Sequence, residues 1–422
     1  MTLINYNNRN LSPIILGFIL FFGVRLLIWI QFDFAALLGT GDDKYYIDVA
    51  QNIINRGQHV SGELYSVRAP GYPFFLATLL KLNIEINTLN IYIVQSLMLF
   101  ITYLISFFII KHTRPKAASL VLLILCLSPF DAIYNGRVLS ENLLAPLVLI
   151  SIVLLLFLHK NKLFGYILPG ILLGLLALVK DIFLLLPFFI AVYMLFNKTH
   201  VKYVAIFLIA YSSAVSPWVL RNATLPSDSF IGVSKGIFWT NLWVGTWLRD
   251  DLSYSSAADR GFIDKNQVEL FKVKRKNMSI EQDFFRDQAL NNLIHKPMQV
   301  LGNWFYRVPK MWIGTRTDLF KMRFETDSLY WYMSKLFFFG ANLVIILLFL
   351  AIVAVGIAKK DKAAYLSLVF ILYLLLIYMP FYNIETRYSQ PVFSVMLLYL
   401  ALSGFINKDI VKNAKNLFNN NK

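Results

Sequence analysis

The chain has a single cysteine in 422 residues, Cys126, and it lies inside an apolar run. A disulfide framework and a cysteine-based metal site are both excluded. The five histidines, His59, His112, His159, His200 and His295, are scattered, and no pair has metal-ligand spacing. Charge is scarce as well: 15% of residues are charged, against about a quarter in soluble domains. No glycine-rich phosphate loop or GxGxxG run is present, so nothing resembles a soluble nucleotide site. The N-terminal stretch has no basic run, and no small-residue cleavage site follows the first apolar segment. That segment is expected to remain as a span.

What the chain has is apolar surface. Apolar residues make up 58%, phenylalanine alone numbers 36, and mean hydropathy is +0.60. This composition describes a multi-span membrane protein. The net charge of +16 does not signal nucleic acid, because much of it sits in short basic clusters between apolar segments. That is how orientation in a membrane is encoded.

A span needs about 20 mostly apolar residues. Ten candidates lie near 11–31, 89–110, 117–133, 139–158, 164–179, 182–196, 203–219, 332–357, 363–382 and 389–406. The fifth and sixth are joined by only Lys180-Asp181, as a helical hairpin or one bent re-entrant element. With both termini cytoplasmic, the short basic clusters (Lys111 to Lys116, Lys160 and Lys162, Lys198 and Lys202, Lys359 to Lys362, and the tail from Lys408) all fall on the inner side. All eight tryptophans fall on or near the outer side. The expected organisation is a transmembrane core of residues 1–219 with a first outer loop at 32–88. An outer segment at 220–331 follows, then C-terminal spans and a cytoplasmic tail at 332–422. The expected location is the plasma membrane.

Within the first outer loop, residues 43–56 read as an amphipathic helix, with Tyr46, Val49, Ala50 and Ile53 on one face. A second short helix is expected at 73–82, and both would lie along the interface. In the outer segment, Ser279 and Gln282 form a capping-box pattern before a helix of about 280–295, and Pro297 reads as the start of another.

The informative residues are ionisable groups beside spans on the outer side, where charge is expensive. They are Arg25, Arg137, Glu141, Lys180, Asp181, Arg221, Glu385 and Arg387, with Asp42, Asp43 and Arg68 in the first outer loop. A carboxylate at a cavity mouth suits a general base. Several cations beside it suit a departing phosphate. An apolar groove between helices suits a lipid tail. Bland readings stand beside each. Asp42 and Asp43 sit where a helix N-terminus favours acids. Arg137 pairs naturally with Glu141 four residues on, and Lys180 with Asp181. Arg25 would bond to polar groups of the 32–88 loop. Trp239, Trp243 and Trp247 share one helical face, more often packing than a sugar platform.

The stretch GDDKYYIDVAQNI followed by RAPGYPFFLATLL resembles the first outer loop of polytopic GT-C glycosyltransferases. The similar branch is that of protein O-mannosyltransferases and aminoarabinose transferases. Its pattern of Asp, Tyr and Ala at four-residue steps is met here by Asp42, Tyr46 and Ala50, and its basic residue before a proline turn by Arg68. GRVLSENLL, GLLALVKD, SPWVLRN and ETRYSQPVF add Arg137, Glu141, Lys180, Arg221, Glu385, Arg387 and Tyr388. SKGIFWTNLWVGTW also resembles the stretch that follows the PW-x-x-RN motif in these proteins. The resemblance covers most of the chain to residue 250 and again near 385. It implies an all-α membrane fold and a polyprenyl-phosphate-sugar donor. It also implies inverting transfer to an envelope glycan, lipid or protein acceptor, with little or no dependence on a divalent cation. Asp42 would be the base, with Asp43 able to share that role. Arg68 and Lys180 would contact the donor phosphate, and Arg387 joins them as a basic residue on the same side. Two other classes stay open on the residues alone: a transporter or flippase of lipid-linked glycans, and a non-catalytic glycolipid-binding assembly protein. The absence of visible internal repeats speaks against the transporter.

Overall fold

The computed structural model describes residues 3–39, 42–61, 64–158, 163–225, 229–248, 281–313, 328–381 and 386–403, with a few isolated positions between them. Helices carry all ten apolar stretches. They are α1 (Leu3–Gln31), α4 (Thr88–Thr113), α5 (Pro115–Leu127), α7 (Glu141–Phe157), α8 (Phe164–Val179), α9 (Leu186–Phe196), α10 (Val201–Ala223), α14 (Leu329–Ala358), α15 (Lys362–Tyr378) and α16 (Gln390–Leu402). Among the described residues, four of them are long and apolar enough to cross a bilayer singly: Ser12–Gln31 within α1, α4, α10 and α14. The remaining apolar helices are shorter. This is an all-α membrane protein. Large apolar side chains such as Ile19, Leu26, Phe108, Phe196 and Ile209 lie exposed on its flanks, as lipid contact requires.

The loop between α1 and α4 is built from α2 (Asp42–Arg56), a two-residue ribbon of β1 (Val60–Ser61) and β2 (Leu64–Tyr65), and α3 (Gly71–Lys81). The ribbon is antiparallel, with Val60 opposite Tyr65. Tyr46, Val49 and Ala50 of α2 are buried, so the amphipathic pattern faces the protein as its spacing predicts. Helix α3 enters against the end of α8. A Cβ built at Gly71 would lie 2.8 Å from Val179 Cγ2 and 2.9 Å from the Leu178 carbonyl oxygen. Only glycine allows this approach, and it sets the turn of Arg68 and Pro70 beside Lys180.

Close helix packing recurs on α8. Gly170 and Gly174 face α10, where built Cβ atoms would lie 2.5 Å from the Phe207 carbonyl oxygen and 2.6 Å from Ala214 Cβ. Small residues four apart let two helix backbones meet in a membrane.

One expectation shifts, and others are made specific. The stretch 117–133 is not one span. Helix α5 ends at Leu127, and Pro129 opens the short α6 (Phe130–Asn135), because a proline supplies no backbone donor to continue α5. The join between α8 and α9 is a break, with Lys180 in extended conformation (φ −151°, ψ 117°) before a 3-10 turn at Asp181–Phe183. Gln282 opens α12 (Gln282–His295), as expected. It accepts from the Trp239 N–H at 3.0 Å and donates to Thr240 Oγ1 at 2.8 Å, tying α12 to α11 (Phe238–Trp247). Ser279 lies outside the described residues. Pro297 does start α13 (Pro297–Ile313). Trp243 and Trp247 are buried with Phe285 and Ala289, so that tryptophan face is packing.

Candidate active site

The ends of α1, α8, α10 and α15 and the starts of α4, α7, α9, α14 and α16 alternate along the chain, so they lie at one end of the bundle. The first-loop helices cover that end. The charges meet there.

Asp42 is the first residue of α2, where the helix dipole favours a carboxylate. Arg68 Nη2 lies 2.7 Å from its Oδ1, and Arg387 Nη1 lies 3.0 Å from its Oδ2. One guanidinium thus sits on each carboxylate oxygen. The side chains of Asp42 and Arg68 are 25% and 39% exposed, while that of Arg387 is 8% exposed. The mouth of the site is therefore the Asp42–Arg68 side. Burial alone would push the Asp42 carboxyl up, but Arg68 and Arg387 outweigh it and hold it well below the usual carboxylate range. Arg68 is anchored through its backbone. Its backbone N–H donates to Tyr45 Oη at 3.2 Å, and its guanidinium lies 5.0 Å and 5.5 Å from the ring centres of Tyr45 and Tyr46.

Asp43 points the other way. It is fully buried and takes both arms of Arg137, with Nη2 at 3.0 Å from Oδ1 and Nε at 3.2 Å from Oδ2. The Val138 N–H adds a contact at 3.4 Å. The expectation that Asp43 shares the base role meets this geometry: both of its oxygens are spent on holding the 136–140 turn to α2. The carbonyl of Arg137 is held in turn by Gln95 Nε2 and Asn142 Nδ2, each at 3.0 Å.

Glu141 does not pair with Arg137. It opens α7, and its Oε1 takes Lys180 Nζ at 2.6 Å. Nor does Lys180 pair with Asp181, which accepts from Ser234 Oγ. The Lys180 ammonium also lies 4.4 Å from the centre of the Tyr388 ring. Tyr388 stacks on Tyr378 with ring centres 4.6 Å apart, and its hydroxyl takes Arg387 Nη2 at 3.2 Å. Asp42, Arg68, Arg387, Lys180, Glu141 and Tyr388 therefore form one continuous cluster. Among the described residues, three cations and two carboxylates meet in it.

Arg221 stands at the flank of this cluster. Its Nη1 donates to Ser66 Oγ and Asn222 Oδ1, both at 2.8 Å. Ser66 lies two residues before Arg68, at φ 49°. The N–H groups of Lys235 and Gly236 bond to the carbonyls of Ser66 and Val67 at 2.8 Å and 3.1 Å. Arg221 and residues 234–236 thus brace the strand leading into Arg68. Glu385 lies outside the described residues.

Arg25 departs from expectation. It is 2% exposed, and its guanidinium lies 3.3 Å from the centre of the Phe21 ring with Nη1 3.5 Å from the Phe21 carbonyl oxygen, away from the 32–88 loop. The charge it faces is Asp131 on α6, a residue the sequence reading passed over. Asp131 is fully buried, takes Tyr103 Oη at 3.0 Å and Ser394 Oγ at 3.4 Å, and joins α4, α6 and α16. Its signal was an acid inside an otherwise apolar run. Among the described residues, no group of three His, Cys, Asp or Glu comes together to hold a metal ion.

No protein-family model matches the chain, and no curated protein matches it in sequence. Solved structures do match in fold. An oligosaccharyltransferase, AglB from Archaeoglobus fulgidus, in complex with an inhibitory peptide and a dolichol-phosphate, superposes over 97% of this chain and 51% of its own, with TM-score 0.55 at 13% identity. Its apo form gives TM-score 0.54 at 12% identity, over 97% and 52%. ArnT from Cupriavidus metallidurans bound to undecaprenyl phosphate gives TM-score 0.42 at 13% identity, over 91% and 77%. The chain spans about half the length of the AglB structures. The likeness is one of fold: the chain shares the fold of the AglB structures over 97% of its length.

Proposed function

We propose that this protein is an integral-membrane glycosyltransferase that moves a sugar from a polyprenyl-phosphate-linked donor to an acceptor hydroxyl on the extracytoplasmic face. One observation carries the reading. Asp42, Arg68, Lys180 and Arg387 come from four separate parts of the chain, yet they meet at the half-open mouth of one cluster. A structural ion pair needs one cation. Here three cations gather round the more exposed of two adjacent acids, an arrangement suited to a phosphate leaving beside a base. The likeness of fold to AglB, whose structure holds a dolichol-phosphate, supports a lipid-phosphate donor.

In this reading the donor phosphate lies against Arg68, Lys180 and Arg387. Asp42 takes the proton of the acceptor hydroxyl as that oxygen attacks the anomeric carbon from the side opposite the phosphate, with inversion. Arg221 braces the Arg68 strand, and Asp43, Arg137 and Glu141 hold the frame. The acceptor belongs to the envelope glycans, lipids or proteins. The test is Asp42→Asn in purified protein that still folds: sugar transfer falls by ~10²-fold or more. Transfer at the wild-type rate would remove Asp42 from the mechanism. A flippase or glycolipid-binding role instead predicts that Asp42→Asn leaves function intact. Mass spectrometry of envelope glycans and lipid-linked intermediates in a deletion strain identifies the donor that accumulates and the acceptor left unmodified.

A further inference from the structure

Asp42 is held in a way that does not suit a base at work. Each of its oxygens carries a guanidinium, Arg68 at 2.7 Å and Arg387 at 3.0 Å. Lys180 adds positive charge from the end of α8. A carboxylate in such a clamp is stabilised in its charged form and has little proton affinity. Yet the same two guanidiniums are the planar, forked donors that recognise phosphate oxygens. The two demands fall on the same atoms.

We infer that the donor phosphate and Asp42 compete for Arg68 and Arg387, so that donor binding strips the base of its counter-charges and switches it on. This rests on the glycosyltransferase reading above and adds an order of events to it. Before the donor arrives, Asp42 keeps the two arginines in place and the site inert. Arg68 is the arm able to move: its side chain is 39% exposed and reaches Asp42 through one nitrogen only. When the phosphodiester enters, the arginines turn to its oxygens. Asp42 loses its partners and gains a negative neighbour, and both changes raise its proton affinity. The step then balances. The acceptor oxygen bonds to the anomeric carbon, and its proton passes to Asp42. The carbon–oxygen bond to phosphate breaks, and its electron pair leaves with the polyprenyl phosphate. Glu141 keeps Lys180 through a 2.6 Å contact, so one cation stays fixed while two change hands. The acceptor is therefore activated only when a donor is bound, which protects the site from idle proton traffic.

The test is lipid binding by the full-length protein in nanodiscs, with undecaprenyl phosphate as the probe. Competition predicts that Asp42→Asn, which removes the carboxylate charge that Arg68 and Arg387 share, binds the probe more tightly than wild type by ~5-fold or more, the lower end of ordinary coupling. Equal or weaker binding by Asp42→Asn overturns the exchange and leaves the donor reading standing. Failure of wild type and variant alike to bind overturns both. If the variant does not fold, wild-type protein labelled with ¹³C-aspartate is examined by infrared difference spectroscopy. A carboxylate band that shifts when the probe is added supports the exchange, and an unchanged band overturns it.

Discussion

Asp42 and Asp43 are neighbours in the chain but occupy opposite surroundings: the Asp42 side chain is 25% exposed between Arg68 and Arg387, while the Asp43 side chain is fully buried against Arg137. Adjacent positions at a helix start point about 100° apart, so one acid faces the mouth and the other faces the bundle. Their substitutions should separate cleanly. Asp43→Asn leaves Arg137 buried without its partner, and breaking a buried pair from one side costs ~3–5 kcal/mol. It should lower the unfolding temperature markedly. Asp42→Asn, at the half-open mouth of the site, should lower that temperature less than Asp43→Asn does and abolish transfer. Thermal unfolding in detergent, measured beside a transfer assay, checks both. The reverse pattern would exchange the roles of the two acids.

Glu141 and Lys180 give a second prediction. Their 2.6 Å pair joins the start of α7 to the end of α8, and the Glu141 side chain is only 3% exposed. Lys180→Met strands a buried carboxylate, so it should lose both stability and transfer. The double variant Glu141→Gln with Lys180→Met removes the stranded charge. It should recover stability by ~1–3 kcal/mol relative to Lys180→Met alone and should not recover transfer, because the cation facing the phosphate is still missing. Recovery of transfer by the double variant would make Lys180 a purely structural residue.

The helices were legible because apolar run length is a direct signal of membrane burial. The first-loop helix with Tyr46, Val49 and Ala50 was legible because its period is helical. The pairing of charges was not. Local spacing suggests Arg137 with Glu141 and Lys180 with Asp181, but the i,i+4 rule holds only inside a helix. Arg137 lies in the turn before α7, and Lys180 lies in an extended break after α8. Both therefore reach partners from distant parts of the chain, Asp43 and Glu141. Only tertiary structure supplies those partners. Asp131 was missed for a different reason: the break at Ser128 and Pro129 that places it off α5 is hidden in a run read as one span.

Gly71 sets the distance between the Arg68 turn and Lys180. A methyl group there would meet Val179 Cγ2 at 2.8 Å and the Leu178 carbonyl oxygen at 2.9 Å. One contact is backbone and cannot turn aside. Gly71→Ala should cost ~1–3 kcal/mol by overpacking and should move Arg68 away from Lys180. Transfer should fall more than stability alone explains, with the loss visible in KM for the lipid donor. A variant with wild-type KM would show that α3 does not position the phosphate contacts.

His59 supplies the pH prediction. It is 2% exposed on the ribbon side of the first loop, packed against Phe74 of α3 and Trp218 of α10 with ring centres 6.3 Å and 5.2 Å away. Neither ring nitrogen has a hydrogen-bond partner among the described residues. Burial, helped by the nearby positive charge of Arg221, lowers its pKa to about 4 from 6.5. The folded protein therefore keeps His59 neutral, while the unfolded chain takes up a proton below pH 6.5. In that window the unfolded state binds more protons, so stability falls as pH falls. The loss begins near pH 6.5 and is complete below pH 4 at ~3 kcal/mol. Substituting His59→Phe removes the titrating group and should flatten this part of the stability profile while leaving the carboxylate-driven loss at lower pH. Unfolding temperatures of the two proteins between pH 7 and pH 4 check it. Parallel curves would mean that His59 is protonated in the folded state, and that the space between Phe74 and Trp218 accommodates a charge.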